Sequence, residues 1–195
     1  MSSRPRPITV LVVDDHPAVR AGVKALIDSE PGMNAVEAVG DAFAVGPAVH
    51  KLRPDVVVLD YQLPGLDGLS LCRQLRRGPV PPQVLVYSAF AGRDMEVPGW
   101  IAGAGAIADK NIEPRELTLL IRRLSAGERV LTPPEDELVE AAVHRLQAGD
   151  VPVLRGLVAG TSPAMVADEL GLEPAALDEA LDRILGRLVV ARDPA

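Results

Sequence analysis

The stretch ITVLVVDDHPAVRAGVKALI, residues 8–27, decides the fold: six residues, five of them apolar and without alternation, run directly into two carboxylates and then into helical spacing. An unbroken, β-branched run of this kind is the pattern of a strand covered on both faces, as in a parallel sheet. After Asp14 and Asp15, the apolar residues Val19, Val23, Leu26 and Ile27 recur at helical intervals, so the unit reads strand, acidic loop, helix. Working outward, Val56–Leu59 (VVVL) and Val84–Tyr87 (VLVY) are further buried-strand runs, with weaker ones at Ala35–Val39 and Ala106–Ala108. Helical spacing returns at Leu69, Cys72 and Leu75, and again at Leu117, Leu120, Ile121 and Leu124. Strand and helix therefore alternate about five times, which predicts an α/β domain with a doubly wound, five-stranded parallel sheet ending near Gly127.

Beyond Leu131 the composition turns to helix formers without strand runs. TPPEDE, residues 132–137, supplies an N-cap threonine, prolines for the first helical positions and acidic residues for the first turn. The punctuation by Gly149, Gly160 and Gly171 predicts four helices, at Pro134–Gln147, Val151–Ala159, Pro163–Leu170 and Pro174–Leu188. The chain carries 20 basic and 27 acidic residues, a net charge of −7. Residues 1–134 hold 15 of each sign, while residues 135–195 hold 5 basic and 12 acidic, so the whole excess lies in the helical part. A domain of that sign repels nucleic acid over the range where phosphate attraction normally dominates affinity. Nothing approaches the roughly 18–20 consecutive apolar residues that a membrane span needs. The basic and apolar start MSSRPRPITVLVV is too short and proline-broken for a secretory leader, and Cys72 is the single cysteine. A cytoplasmic protein without a membrane partner is the expectation.

Chemistry-bearing residues gather at the strand ends. Asp14 and Asp15 follow the first strand, Asp60 the third, Ser88 the fourth, and Lys110 lies just past the fifth. In an open parallel sheet those ends share one edge, where ligands bind. Three carboxylates there make a site for a hard cation with oxygen ligands, Mg²⁺ above all. Such a cation can neutralise the oxygens of an incoming phosphoryl group while Asp60 attacks as nucleophile, with Ser88 and Lys110 on the remaining oxygens. A single Asp at a strand end is commonly a turn or cap residue, but five residues of fitting type at five strand ends are a stronger signal. An aspartyl-phosphate phosphatase would want a second Asp two residues after its nucleophile, and Gln62 stands there. His50 and His144 are isolated, whereas His16 abuts the acidic pair and is placed to tune it.

The segments LVVDDHPAVRAGVKALI, VVVLDYQLPGLDGL, VLVYSA and IADKN together resemble the receiver signature of two-component response regulators, over about two-thirds of the chain. The wording DDHPAVRAG further resembles the NarL/FixJ subfamily, whose members carry a four-helix LuxR-type helix-turn-helix behind a flavodoxin-like receiver. The resemblance implies Asp60 as phosphoacceptor, Asp15 as direct metal ligand and Asp14 as outer metal partner. It makes Gln62 a ligand through its backbone carbonyl, and Ser88 and Lys110 the groups that sense the phosphate. It implies Mg²⁺, a sensor histidine kinase as partner, a homodimer, duplex DNA under the effector, and a switch rather than a turnover enzyme. The division is then receiver 1–128, linker and first effector helix 129–149, and helix-turn-helix 150–195.

The sequence departs from that pattern in two places. Receivers usually signal through an aromatic residue on the fifth strand, and Ile107 occupies the corresponding position. Next to it, EVPGWIAGAG (residues 96–105) contains Pro98, Gly99 and further glycines, which predicts a short or irregular element at Met95–Ala104. In the second place, Val166, Leu170, Leu177, Leu181, Ile184, Leu185 and Leu188 fit a helix-turn-helix core around Gly171. The presumed recognition helix, however, offers Asp178, Glu179 and Asp182, with Arg183 and Arg187 further along. Two readings stay open at this point: a DNA-binding transcription regulator, and a protein-interaction adaptor whose helical domain never touches DNA.

Overall fold

The computed structural model describes residues 6–89 and 91–189. Five strands, β1 (Ile8–Val13), β2 (Met33–Val39), β3 (Val56–Asp60), β6 (Gln83–Ser88) and β7 (Ala106–Asp109), form a parallel sheet in the order β2-β1-β3-β6-β7. A two-residue antiparallel pair, β4 (Gln62–Leu63) and β5 (Leu66–Asp67), folds the chain back just after β3. The apolar runs are buried on both faces as their lack of alternation requires: Val10, Leu11, Val56, Val57, Val84 and Leu85 have no exposed surface.

Helices α1 (Pro17–Ser29) and α5 (Pro114–Ser125) cover one face. Val23 and Ile27 of α1, with Leu117, Ile121 and Leu124 of α5, close a core over Val10, Val12, Val58 and Leu85. Helices α2 (Ala42–Leu52) and α3 (Gly68–Arg76) cover the other, bringing Val45, Leu69 and Cys72 to it. Proline at the first turn starts both α1 and α5, and Asp41 and Asp67 cap α2 and α3 through their carboxylates. Burying these side chains contributes roughly 1.5–3 kcal/mol each.

The chain divides into two compact units, Met1–Ala91 with Gly103–Val130, and Gly92–Ala102 with Leu131–Ala195. The second contains a 3₁₀ turn at Arg93–Met95 and the helices α4 (Glu96–Ala102), α6 (Asp136–Val143), α7 (Val151–Val158), α8 (Pro163–Leu170) and α9 (Pro174–Leu188). The element expected to be short or irregular is a seven-residue α-helix. Pro98 lies in its first turn, where a missing N–H breaks no intrahelical bond, and Gly103 ends it at φ 80°. Trp100 donates from Nε1 to the Leu157 carbonyl at 2.9 Å, and Arg93 pairs with Glu135. Helix α6 begins and ends inside the expected Pro134–Gln147, because Glu135 is its N-cap and the chain tightens after Val143 into three-residue turns. The α8–turn–α9 pair has Ser162 capping α8, Gly171 at φ 62°, and Val166, Leu181, Ile184 and Leu185 buried. Among the described residues no helix is long and apolar enough to cross a membrane.

Candidate functional site

The functional groups sit at the carboxyl ends of β1, β3, β6 and β7 because each of those strands stops where its apolar run meets a polar residue. Asp60 and Ser88 are the last residues of β3 and β6, Asp14 and Asp15 follow β1 directly, and Lys110 follows β7. Registers of neighbouring strands align these ends: Val13 pairs with Leu59, Asp60 with Tyr87, and Ser88 with Asp109. Asp14, Asp60 and Ser88 are all buried to within 3% of complete.

One ligand atom each from Asp14, Asp15, His16 and Asp60 falls within a 4.8 Å cluster. Lys110 reaches across it, its Nζ 2.7 Å from Asp14 Oδ2 and 2.8 Å from Asp60 Oδ2. Asp14 Oδ1 accepts the His16 amide at 2.8 Å, and Asp60 Oδ1 accepts the Gln62 amide at 3.2 Å. His16, an exposed residue, sets Nδ1 2.6 Å from Asp15 Oδ1. The Lys110 main chain is fixed at both sides, its amide donating to the Ser88 carbonyl at 2.8 Å and its carbonyl accepting the Tyr87 hydroxyl at 3.1 Å.

The electrostatics follow from burial and this contact. Burial pushes the Asp60 carboxyl above the usual carboxylate range, and the Asp14 charge adds to that, while Lys110 and the Gln62 amide oppose it without cancelling it. Burial also disfavours the Lys110 ammonium, but the bonds and charges of Asp14 and Asp60 together outweigh it and hold this group above its ordinary value. Burial likewise raises the Tyr87 hydroxyl.

Three carboxylates against one ammonium leave two negative charges in a largely dry site, the deficit that a divalent cation cancels. Asp14 Oδ2 and Asp15 Oδ1 are buried, and the near polar groups they face are the Lys110 ammonium and the His16 imidazole respectively. These hard oxygens fit Mg²⁺. All six residues expected from the sequence lie here, with Gln62 touching the Asp60 carboxylate through its amide while its side chain is exposed. Ile107 is half-buried on β7, between the buried Ala106 and Ala108.

Three residues with roles in this geometry escaped the sequence reading: Tyr87, Gly68 and Arg20. A Cβ on Gly68 would lie 2.3 Å from the Asp60 carbonyl oxygen, so only glycine fits there. Arg20 donates from Nη1 to the Asp14 carbonyl at 2.6 Å and less closely, at 3.3 Å, to that of Asp15. The signal was present in the wording DDHPAVR, an arginine one helical turn after His16.

Residues 10–122 match the family model of the response regulator receiver domain. The nitrate/nitrite response regulator protein NarL of Escherichia coli strain K12 is 30% identical over 146 residues, which cover 75% of this chain and 68% of that protein. Among solved structures, the receiver domain of the NarL response regulator of Mycobacterium tuberculosis superposes with a TM-score of 0.61 at 28% identity. That match covers 64% of this chain and all of that one. The response regulator ChrA of a heme-sensing two-component system matches over 95% of this chain and 92% of its own, with a TM-score of 0.55 at 27% identity.

Proposed function

Because the chain belongs to the response regulator receiver family and is a two-component response regulator of the NarL/FixJ type, we propose that it accepts a phosphoryl group on Asp60 from a sensor histidine kinase. The observation that carries this reading is the Asp14, Asp60 and Lys110 contact at the edge of the parallel sheet, with Asp15 beside it. An Asp60 carboxylate oxygen attacks phosphorus, and the donor's P–N bond breaks with its electron pair leaving on the imidazole nitrogen. Asp14, Asp15 and Asp60, with the Gln62 carbonyl, would hold Mg²⁺, which when bound supplies positive charge against the phosphoryl oxygens. Lys110 moves its ammonium from carboxylate to phosphoryl oxygen, and the Ser88 hydroxyl donates to a second one. The protein is then a cytoplasmic switch that carries a phosphoryl group and turns over no substrate.

The division that goes with this reading is a receiver at 1–128, a linker with the first effector helix at 129–149, and a helix-turn-helix at 150–195 that controls transcription as a homodimer. Treatment with acetyl phosphate and Mg²⁺ should add one phosphoryl mass to the wild type and none to Asp60→Asn. Equal incorporation in both would overturn the assignment.

A specific observation favours the second reading of the effector, an adaptor that binds protein rather than DNA. On α9, Arg183 is held at 2.8 Å by the buried carboxylate of Asp150, and Arg145 donates to the Arg187 carbonyl. Arg155 and Arg93 also face carboxylates, Glu140 and Glu135. The basic groups of this unit are thus largely committed internally, in a segment already short of positive charge. Each phosphate neutralised contributes about −0.9 to the salt slope on duplex DNA, so a transcription factor built this way shows weak affinity and a shallow slope. Asp178→Lys with Glu179→Lys should raise non-specific duplex binding in a shift assay. Tight, steeply salt-dependent binding by the wild type would refute the low-affinity expectation.

A further inference from the structure

The β1–α1 loop must present two adjacent carboxylates to one cation, yet a short acidic loop repels itself and has every electrostatic reason to splay. Arg20 is the fourth residue of α1, and side chains on a helix lean back toward its N-terminus. Its guanidinium accordingly returns to the loop and donates from Nη1 to the Asp14 carbonyl at 2.6 Å, with the Asp15 carbonyl at 3.3 Å. Both acceptors are main-chain oxygens. The positive charge that steadies the loop therefore leaves the carboxylate lone pairs for the metal, which an arginine bonded to the carboxylates themselves would not.

A second element makes room for this contact. The residue after β2 is Gly40, and a Cβ there would lie 2.7 Å from Arg20 Nη1 and 3.2 Å from Arg20 Cζ. Gly40 is not among the glycines of positive φ, so its backbone conformation is open to any residue. The guanidinium occupies the space that a side chain at this position would take, so a larger residue here displaces it. The Asp14 amide donates to the Val39 carbonyl at 3.1 Å, so the end of β2 and the acidic loop are held together on either side of that side chain.

We propose that Arg20 is a positioning residue, which clamps the Asp14 and Asp15 carbonyls in a slot kept open by Gly40 and so sets the affinity of the carboxylates for a divalent cation. The proposal rests on the Mg²⁺ reading of the site. Groups that orient metal ligands without touching the metal typically cost 10–100-fold in affinity when removed. Calorimetric titration of the full chain with MgCl₂ should show roughly a tenfold or greater loss of affinity for Arg20→Ala. Arg20→Lys should recover part of it, since lysine keeps the charge but carries it on a side chain one bond shorter. Gly40→Ala should weaken binding in the wild-type background and leave it unchanged in Arg20→Ala, because the added methyl acts only by displacing the guanidinium.

Hydrogen exchange of the amides of residues 14–16, measured in chelator, reads the clamp without any metal: it should speed up in Arg20→Ala and in Gly40→Ala. Unchanged Mg²⁺ affinity and exchange in Arg20→Ala would overturn the proposal, as would a Gly40→Ala effect equally large in both backgrounds. A wild type that binds no Mg²⁺ overturns the cation reading instead, and the exchange data then decide the clamp alone.

Discussion

Replacing Gly68 by alanine tests the site through its backbone. Gly68 opens α3, and its amide donates to the Tyr61 carbonyl at 2.7 Å, which folds the β4–β5 turn back onto the end of β3. A Cβ at this position would lie 2.3 Å from the Asp60 carbonyl oxygen, 2.7 Å from Tyr61 Cα and 3.0 Å from the Tyr61 oxygen. All three are main-chain atoms, so no rotamer change relieves the clash. To reach an ordinary contact of 3.4 Å, the end of β3 and the start of α3 must part by about 1.1 Å. Overpacking of this kind costs about 1–3 kcal/mol. A reacting group displaced by about 1 Å loses on the order of 100-fold in rate. Urea unfolding should therefore show a folded variant, less stable by that amount. Intact-mass kinetics with acetyl phosphate at saturating Mg²⁺ should show phosphoryl incorporation roughly 100-fold slower than wild type. Wild-type stability and rate together would refute the packing argument, and lost stability with an unchanged rate would refute the link from Gly68 to the placement of Asp60.

Lys110→Ala removes the ammonium that faces two nearly buried carboxylates, so the metal-free fold should lose up to about 3 kcal/mol, with Mg²⁺ restoring more stability to the variant than to the wild type. Equal unfolding free energies of the two proteins in chelator would count against that pairing. Cys72 is fully buried and its thiol is pushed up to about 12, burial being the main cause. The unfolded chain releases this proton near 9.0 and the folded chain does not, so stability declines as pH rises above 9.0, by at most about 1.4 kcal/mol per pH unit. Comparing urea unfolding at pH 9 and 10 should show a shallower decline in Cys72→Ala, and alkylation of the wild type should proceed only as fast as the protein opens. Parallel pH profiles of the two proteins would show that the thiol is not responsible.

Most of the sheet and the site was legible because both depend on local order along the chain. An unalternated apolar run that ends in Asp14, Asp60 or Ser88 specifies a buried strand and, by the same residues, what stands at its end. Gly68 and Gly40 were not legible, since their roles depend on how closely the folded chain approaches them, within a methyl's width of the Asp60 carbonyl and of the Arg20 guanidinium. For Arg20 the spacing from His16 was visible, but not that its guanidinium turns to the loop carbonyls. The short element around Pro98 was legible from its proline and glycines; what the sequence does not show is that Pro98 falls in the first turn of a seven-residue helix, where its missing N–H breaks no intrahelical bond. Nor does any local pattern announce that residues 92–102 gather with the C-terminal helices, where α4 packs against α6, α7 and α9 and the Trp100 indole donates to the Leu157 carbonyl. On α9 the sequence showed the shortage of positive charge but not that Arg183 is committed to Asp150.

The position of the phosphoryl group is the measurement that bears most directly on the site. Wild-type protein loaded by acetyl phosphate and Mg²⁺, then reduced with borohydride, converts an aspartyl phosphate to homoserine at the modified position, and peptide mass spectrometry reads where that is. Homoserine is expected at position 60 alone, dependent on Mg²⁺ and absent from Asp60→Asn. Homoserine at position 14 or 15, or a phosphoryl group that survives on Ser88, would contradict this assignment.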